Sequence, residues 1–255
     1  MWKAVIASVA AVLVLYTVQA GAVELNLLVG GAMAEPFHEV GEAFEKKTGN
    51  HLSFTIDNSG ALQRRLKAGE KADIILLAAQ GMDALEKENR IVPGTRVELG
   101  RALMAVAVRA DAPPMDLSSS AAFRRALLAA RKVALTDPAG GGTAGVYMAA
   151  IMERFDITEE MRPKIIYRTQ GSFVTAAVAR GEADLGVTFT SEILSNRNAK
   201  IAGLLPDDVQ MPTNYAAAIP VGAASPEAAR ALLAEFKTPF AHEAIRKVGL
   251  EPLSR

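Results

Sequence analysis

Four stretches of this chain set glycines and hydroxyl side chains where a strand gives way to a helix. The fullest is residues 132–155, where a β-rich run at 133–136 passes through Asp137-Pro138 and three glycines to Thr143, placed to cap a helix. Val146, Ala149, Ile151 and Met152 then recur at helical spacing. Glycines at such a junction let backbone approach a ligand closely. The first helical turn also leaves N–H donors unpaired and carries about half a positive charge, so an anion is the natural occupant. Gly30-Gly31-Ala32-Met33 follows a second strand and leads into a helix announced by Pro36. Asp57-Asn58-Ser59-Gly60 follows a third, with Ser59 placed either to cap the helix or to offer its hydroxyl to a ligand. Gln170-Gly171-Ser172 is the fourth helix start, with Ser172 readable as a plain cap. Together they read as the jaws of an anion clamp.

Other chemistries are poorly served. Cysteine is absent, which excludes disulfides, thiolate metal sites and cysteine nucleophiles. His38, His51 and His242 lie far apart with no ligand-spaced partner, so no metal site is expected. No G-x-S-x-G elbow occurs. The rival of another class is an NADP-type dinucleotide-binding enzyme, because Gly140-x-Gly142-x-x-Gly145 fits that fingerprint and Arg168 would suit a 2′-phosphate. Against it stand Asp137-Pro138 inside the turn and the lack of an acidic residue at the ribose position. The expectation is a binding protein with no catalytic residue and no cofactor.

The elements that must position these residues alternate. A strand at 25–29 precedes a helix whose buried face is Phe37, Val40 and Phe44 and which Gly49 ends; a strand at 52–56 precedes a helix with Leu62 and Leu66 inside. Residues 72–78 form a near-continuous apolar run, the mark of a strand covered on both faces. Further helices are expected at 81–91, after Ser119, at 174–179, 226–236 and 240–248, and strands at 103–108, 164–167, 185–189 and 215–221. This order predicts an α/β fold with mostly parallel sheets, in which ligands sit beyond the carboxyl ends of the strands. An internal echo adds to it: Ser59 through Gly69-Glu70 to Ala72-Asp73, and Ser172 through Gly181-Glu182 to Ala183-Asp184, share one order of serine, helix, Gly-Glu, Ala-Asp and buried strand. Two units of like architecture facing each other would produce it.

Half of the 255 residues are hydrophobic, enough for a sizeable core. With 28 basic and 28 acidic residues the chain has no global charge to attract nucleic acid, so anion recognition must be local. At the N-terminus Lys3, an apolar run at 4–18 and Ala20-Gly21-Ala22 read as a signal peptide over 1–22, exporting a mature chain that begins near Val23. The missing cysteine also removes a lipid-attachment point, which favours a freely soluble periplasmic protein.

The set formed by Gly30-Gly31-Ala32-Met33, AFEKKTG at 43–49, NSGALQRRLKAGEKADIILLAA at 58–79, DPAGGGTAGVY at 137–147 and ARGEADLGVTFTSE at 179–192 resembles the molybdate-binding protein of bacterial ABC importers across essentially the whole mature chain. The resemblance implies a two-lobed, type II periplasmic binding fold, hinged by two crossing strands, with 23–101 plus 213–255 in one lobe and 102–212 in the other. It implies a monomer that closes on a small anion, molybdate or a related oxyanion, and hands it to an ABC permease in the inner membrane. The family's oxyanion contacts fall on Ala32, Ser59, Ala144, Gly171 and Phe189. The neighbouring Gly31, Thr143 and Ser172 complete the expected ligand-binding set. Two departures stand out, since the family usually has serine at Ala32 and tyrosine at Phe189. Two hydroxyl donors are thereby lost, which keeps a small organic carboxylate open as the alternative ligand.

Overall fold

The computed structural model describes residues 21–253, so the segment read as a signal peptide lies outside it but for its last two residues. The first sheet begins with β1 (Glu24–Gly30), and a single 3-10 turn at Gly31–Met33 leads into α1 (Ala34–Thr48). Phe37, Val40 and Phe44 are buried on one face of α1, and Gly49 ends it in the left-handed conformation at φ +77°. Then come β2 (His51–Asp57), α2 (Ser59–Lys67), β3 (Ile74–Ala78), α3 (Ala79–Lys87) and β4 (Val97–Ala102). β3, IILLA, is buried at every position, as a strand covered on both faces requires.

The second sheet takes the middle of the chain through β5 (Met104–Arg109), α4 (Ser120–Ala129), β6 (Val133–Thr136), α5 (Thr143–Arg154), α6 (Thr158–Met161), β7 (Ile165–Arg168), α7 (Gly171–Ala179), β8 (Leu185–Phe189), α8 (Thr190–Leu194) and β9 (Ala199–Leu204). The chain then returns with β10 (Thr213–Ala218), α9 (Pro226–Glu235), α10 (Pro239–Lys247) and β11 (Glu251–Pro252). Strand order is β11-β4-β10-β3-β1-β2 in one sheet and β7-β6-β8-β5-β9 in the other. In each sheet three strands are parallel, and the strand arriving from the other lobe pairs antiparallel with one of them: β10 with β3, β5 with β8. The molecule is a two-lobed α/β protein. The chain passes between the lobes at Leu103 and again over 205–212. Among the described residues no helix is long and apolar enough to cross a membrane.

Several expectations shift. The helix at 81–91 ends at Lys87, Asn89 turning the chain at φ +53° and Ile91 bridging to Pro220; the strand at 215–221 runs from Thr213 to Ala218. β4, β9, β11 and the short helices α6 and α8 were not legible in the sequence pattern. β4 reads VELGRA, with a glycine and two charges and no clean alternation. The echo, by contrast, has a structural meaning. Gly69 and Gly181 both take positive φ, and the next amide reaches back to close the helix, Glu70 to Arg65 O and Glu182 to Ala177 O. Asp73 and Asp184 then each donate their amide to a carbonyl of the neighbouring strand segment, of Asn26 and Lys132, and accept backbone N–H groups from it on their carboxylates.

Candidate functional site

The carboxyl ends of the strands and the helix starts of both lobes meet around a small cavity of about 30 Å³. That is well below the roughly 300–1,000 Å³ of small-molecule sites, so with the lobes drawn together it has room for little more than ordered water, and a larger occupant requires them to part. Gly31, Ala32, Asp57, Asn58, Ser59 and Tyr215 line it from the first lobe; Thr136, Gly142, Thr143, Ala144, Gln170, Gly171, Phe189 and Glu192 line it from the second. Among the described residues no lysine or arginine is part of this wall. Arg64 reaches Gly140 O, Arg65 pairs with Glu70, and Arg168 pairs with Glu182, all outside it. With Asp57 and Glu192 also on the wall, any attraction for an anion there rests on the peptide dipoles of the helix starts.

Seven of the eight residues singled out in the sequence, Gly31, Ala32, Ser59, Thr143, Ala144, Gly171 and Phe189, lie on this wall. Ser172 does not: it is exposed at the second position of α7, and Gln170 is the N-cap. The capping assignments move by one residue elsewhere too. Asn58 caps α2 by accepting from Ala61 N at 2.8 Å, and Gly142, not Thr143, precedes α5. With the cap supplied by Asn58, the Ser59 hydroxyl instead accepts the buried amide of Ala78 at 3.1 Å, leaving its own proton to donate into the cavity.

Sequence reading missed Glu192, Thr136 and Tyr215. Glu192 is buried, with 8% exposure, at the start of α8, where Thr188 Oγ1 donates to it at 2.5 Å and Phe189 N approaches at 3.5 Å. The Gly171 amide, expected to face a ligand, also bonds this carboxyl. Burial raises the Glu192 pKa above the ordinary carboxylate range, and the three donors pull it back only in part. Gly31 and Gly171 leave room for the group: a Cβ on either would stand 3.0 or 1.9 Å from its oxygens. The spacing of Phe189 to Glu192 at a helix start, the place of a capping-box glutamate, was the available signal. Tyr215 packs edge-on against Phe189 with ring centroids 5.8 Å apart, and burial raises its pKa as well. Thr136 is 4% exposed, and its hydroxyl has no hydrogen-bond partner.

The lobes are drawn together over the cavity. Gly60 N donates to Gly141 O at 3.2 Å, Asn58 Nδ2 to Thr169 O at 3.0 Å, Gln170 Nε2 to Ile56 O at 3.0 Å and Ser191 Oγ to Ala32 O at 2.7 Å. The triple-glycine turn thus has the opposite lobe's backbone against it, where a dinucleotide reading would place a pyrophosphate. Gly145, the last glycine of that fingerprint, is explained by packing, since a Cβ there would fall 2.0 Å from Thr136 O.

A family described as bacterial extracellular solute-binding protein matches residues 25–251. The chain is 35% identical to an aconitate isomerase of a Pseudomonas species over 235 residues, 90% of this chain and 88% of that one. It is 24% identical to the molybdate-binding protein ModA of Escherichia coli strain K12 over 89% of this chain and 88% of that one. In structure it resembles the periplasmic molybdate-binding protein of Azotobacter vinelandii, with a TM-score of 0.73 at 18% identity, covering 91% of this chain and all of that one.

Proposed function

Because this chain belongs to the bacterial extracellular solute-binding protein family, we propose that it captures a small organic polycarboxylate between its lobes in the periplasm and presents it to an ABC permease. Residues 1–22 act as the export signal, 23–101 with 213–255 form one jaw, 102–212 form the other, and the protein works as a monomer. Helix starts from both jaws supply the donors: the first-turn amides of α5, the Ser59 hydroxyl and the turn at Gly31-Ala32. At about 1 kcal/mol per dipole end plus direct hydrogen bonds, such a set approaches the ~8 kcal/mol of a micromolar site without a cation.

The observation that carries the choice of ligand is the composition of the wall. Ala32, Phe189 and Tyr215 put a methyl and two aromatic rings around the cavity. An all-oxygen tetrahedron such as molybdate needs a hydrogen-bond donor in every direction, and apolar surface leaves its oxygens unmatched. A carbon skeleton bearing carboxylates fills such a wall with its carbons and meets the donors with its oxygens. The identity of 35% to an aconitate isomerase, against 24% to a molybdate-binding protein, points the same way.

One further reading has its own observation. Glu192 is a buried acid on the wall whose pKa burial raises above the ordinary carboxylate range, the direction a general base that must also return its proton requires. On a propene tricarboxylate such as aconitate, its carboxylate would take a proton from the methylene carbon as the double bond shifts by one position, then return that proton to the former vinylic carbon. The sum is an isomerisation without a cofactor.

A single experiment separates these readings. Calorimetric titration with trans-aconitate, cis-aconitate, citrate, molybdate, tungstate and sulfate is expected to give micromolar binding for tricarboxylates and weaker binding for the oxyanions. Tighter binding of molybdate than of every carboxylate would overturn the ligand choice. NMR of the aconitates in D2O with wild type and Glu192→Gln then reads deuterium uptake into carbon positions. Uptake lost in the variant establishes isomerisation, and binding with no uptake in the wild type leaves a pure receptor.

A further inference from the structure

Thr136 ends β6 beneath the start of α5, and its surroundings hold it there closely. A Cβ added to Gly142 or to Gly145 would come within 2.9 Å of its Oγ1, so both glycines are what allow the helix start and this hydroxyl to share the same space. Around it, buried threonine hydroxyls are matched: Thr175 donates to Gly171 O and Thr188 to Glu192. Thr136 Oγ1 is not, and it lies on the cavity wall. Among the described residues one other buried side-chain polar atom lacks a partner, Glu98 Oε2, and there the second carboxylate oxygen is held by Arg96. Thr136 is thus a side chain whose whole polar capacity is buried and unused. Buried polar groups are nearly always paired, so an orphan facing a cavity calls for a partner that enters it.

That partner is an acceptor. The amides of the first turn of α5 beside it are donors, as is the Ser59 proton across the cleft, while the two carboxyl groups of the wall are already engaged, Asp57 by Asn58 N and Glu192 by Thr188, so the donors around Thr136 are matched by an incoming anionic oxygen. We propose that Thr136 is a ligand-contacting, specificity-determining residue: its hydroxyl donates to a carboxylate oxygen of the bound anion at the start of α5. The assignment rests on the polycarboxylate reading of the cleft. It also places donor capacity on β6, in partial replacement of the hydroxyls missing at Ala32 and Phe189.

The test compares Thr136→Val, which removes the hydroxyl, with Thr136→Ser, which keeps it, by titration with trans-aconitate and citrate and by ligand-free melting temperature. Thr136→Val is expected to weaken binding by about tenfold, the equivalent of one net hydrogen bond to a charged group, and Thr136→Ser by no more than about twofold. Ligand-free Thr136→Val should melt at the wild-type temperature or above, since a methyl replaces an unpaired buried hydroxyl. A merely structural threonine would show the reverse, a lower melting temperature with wild-type affinity, and that result overturns the proposal. Should Thr136→Val not fold, Thr136→Ala takes its place with the same expected loss of affinity. A wild type that binds neither probe overturns the polycarboxylate reading and this one with it; a wild type that binds beside an unchanged Thr136→Val overturns this one alone.

Discussion

At the scale of single residues, the cleft is ruled by what is absent from it as much as by what is present. Ala32 and Phe189 were legible as departures because they stand at positions where the resembling family carries hydroxyls. Glu192 was not, because a glutamate early in a helix looks like ordinary capping until the fold shows the helix start to be buried. Its burial has a consequence for pH. With the folded-state pKa raised above the unfolded value of about 4.3, the native protein holds a proton that the unfolded chain releases. The stability tied to Glu192 is therefore complete below the unfolded pKa and is lost as pH rises through the folded one. No lysine or arginine contributes to holding its charged form, and Tyr215 nearby is itself kept neutral by burial. Glu192→Gln keeps the neutral shape without the titration. Melting temperatures of wild type and variant, measured from pH 5 to pH 9, should diverge in favour of the variant as pH rises. A gap that is constant across the range, or that closes as pH rises, would show the carboxyl to be stably ionised in the fold.

At the scale of elements, the sequence spoke clearly where periodicity and punctuation agreed. β1, α1 and β3 follow from an apolar run, a stripe at helical spacing and a terminating glycine. β4, β9 and β11 follow from pairing with distant partners, which no local window contains: β11 exists as a strand because Glu251 and Pro252 lie beside Arg101 and Gly100. The caps failed for a subtler reason, since Asn58 and Ser59 are both good caps and chain direction decides between them. The repeated Gly-Glu and Ala-Asp pairs were visible as text, and the fold gives them work. Asp73, 1% exposed, accepts from Asn26 N at 2.9 Å and from Ser225 N at 2.8 Å, tying β1 and the start of α9 to the entry of β3. Asp73→Ala leaves those two amides without their acceptor, so urea unfolding should show a loss of about 2–4 kcal/mol. Asp184 holds the matching post in the second lobe, but its side chain is 34% exposed and water can replace it, so Asp184→Ala should cost about 1 kcal/mol. Equal losses at the two sites would mean that burial does not set the difference.

At the scale of the whole molecule, the two lobes meet where side chains are missing. Gly60, in the first turn of α2, faces Gly141, in the turn before α5, so closely that a Cβ on Gly60 would stand 2.7 Å from Gly141 Cα. The obstacle is backbone, which cannot swing aside as a flexible side chain would. Gly141 also takes φ +79°, a conformation that suits glycine. The pair therefore lets the jaws shut far enough for Gly60 N to reach Gly141 O, and for Arg64 to reach Gly140 O beside it. Gly60→Ala introduces a methyl that α2 accepts readily, helix propensity favouring alanine by about 1 kcal/mol, yet the closed form cannot accommodate it without moving apart. Stability and closure should thus part company. Ligand-free Gly60→Ala is expected to melt at the wild-type temperature or slightly above, while affinity for the best-bound anion falls about tenfold or more, chiefly through faster release. Small-angle scattering of the ligand-saturated variant should give a larger radius of gyration than ligand-saturated wild type. If the variant closes to the wild-type radius and binds with wild-type affinity, the cleft shuts by some route other than glycine against glycine, and the ties at Asn58, Gln170 and Ser191 would then have to hold the lobes together.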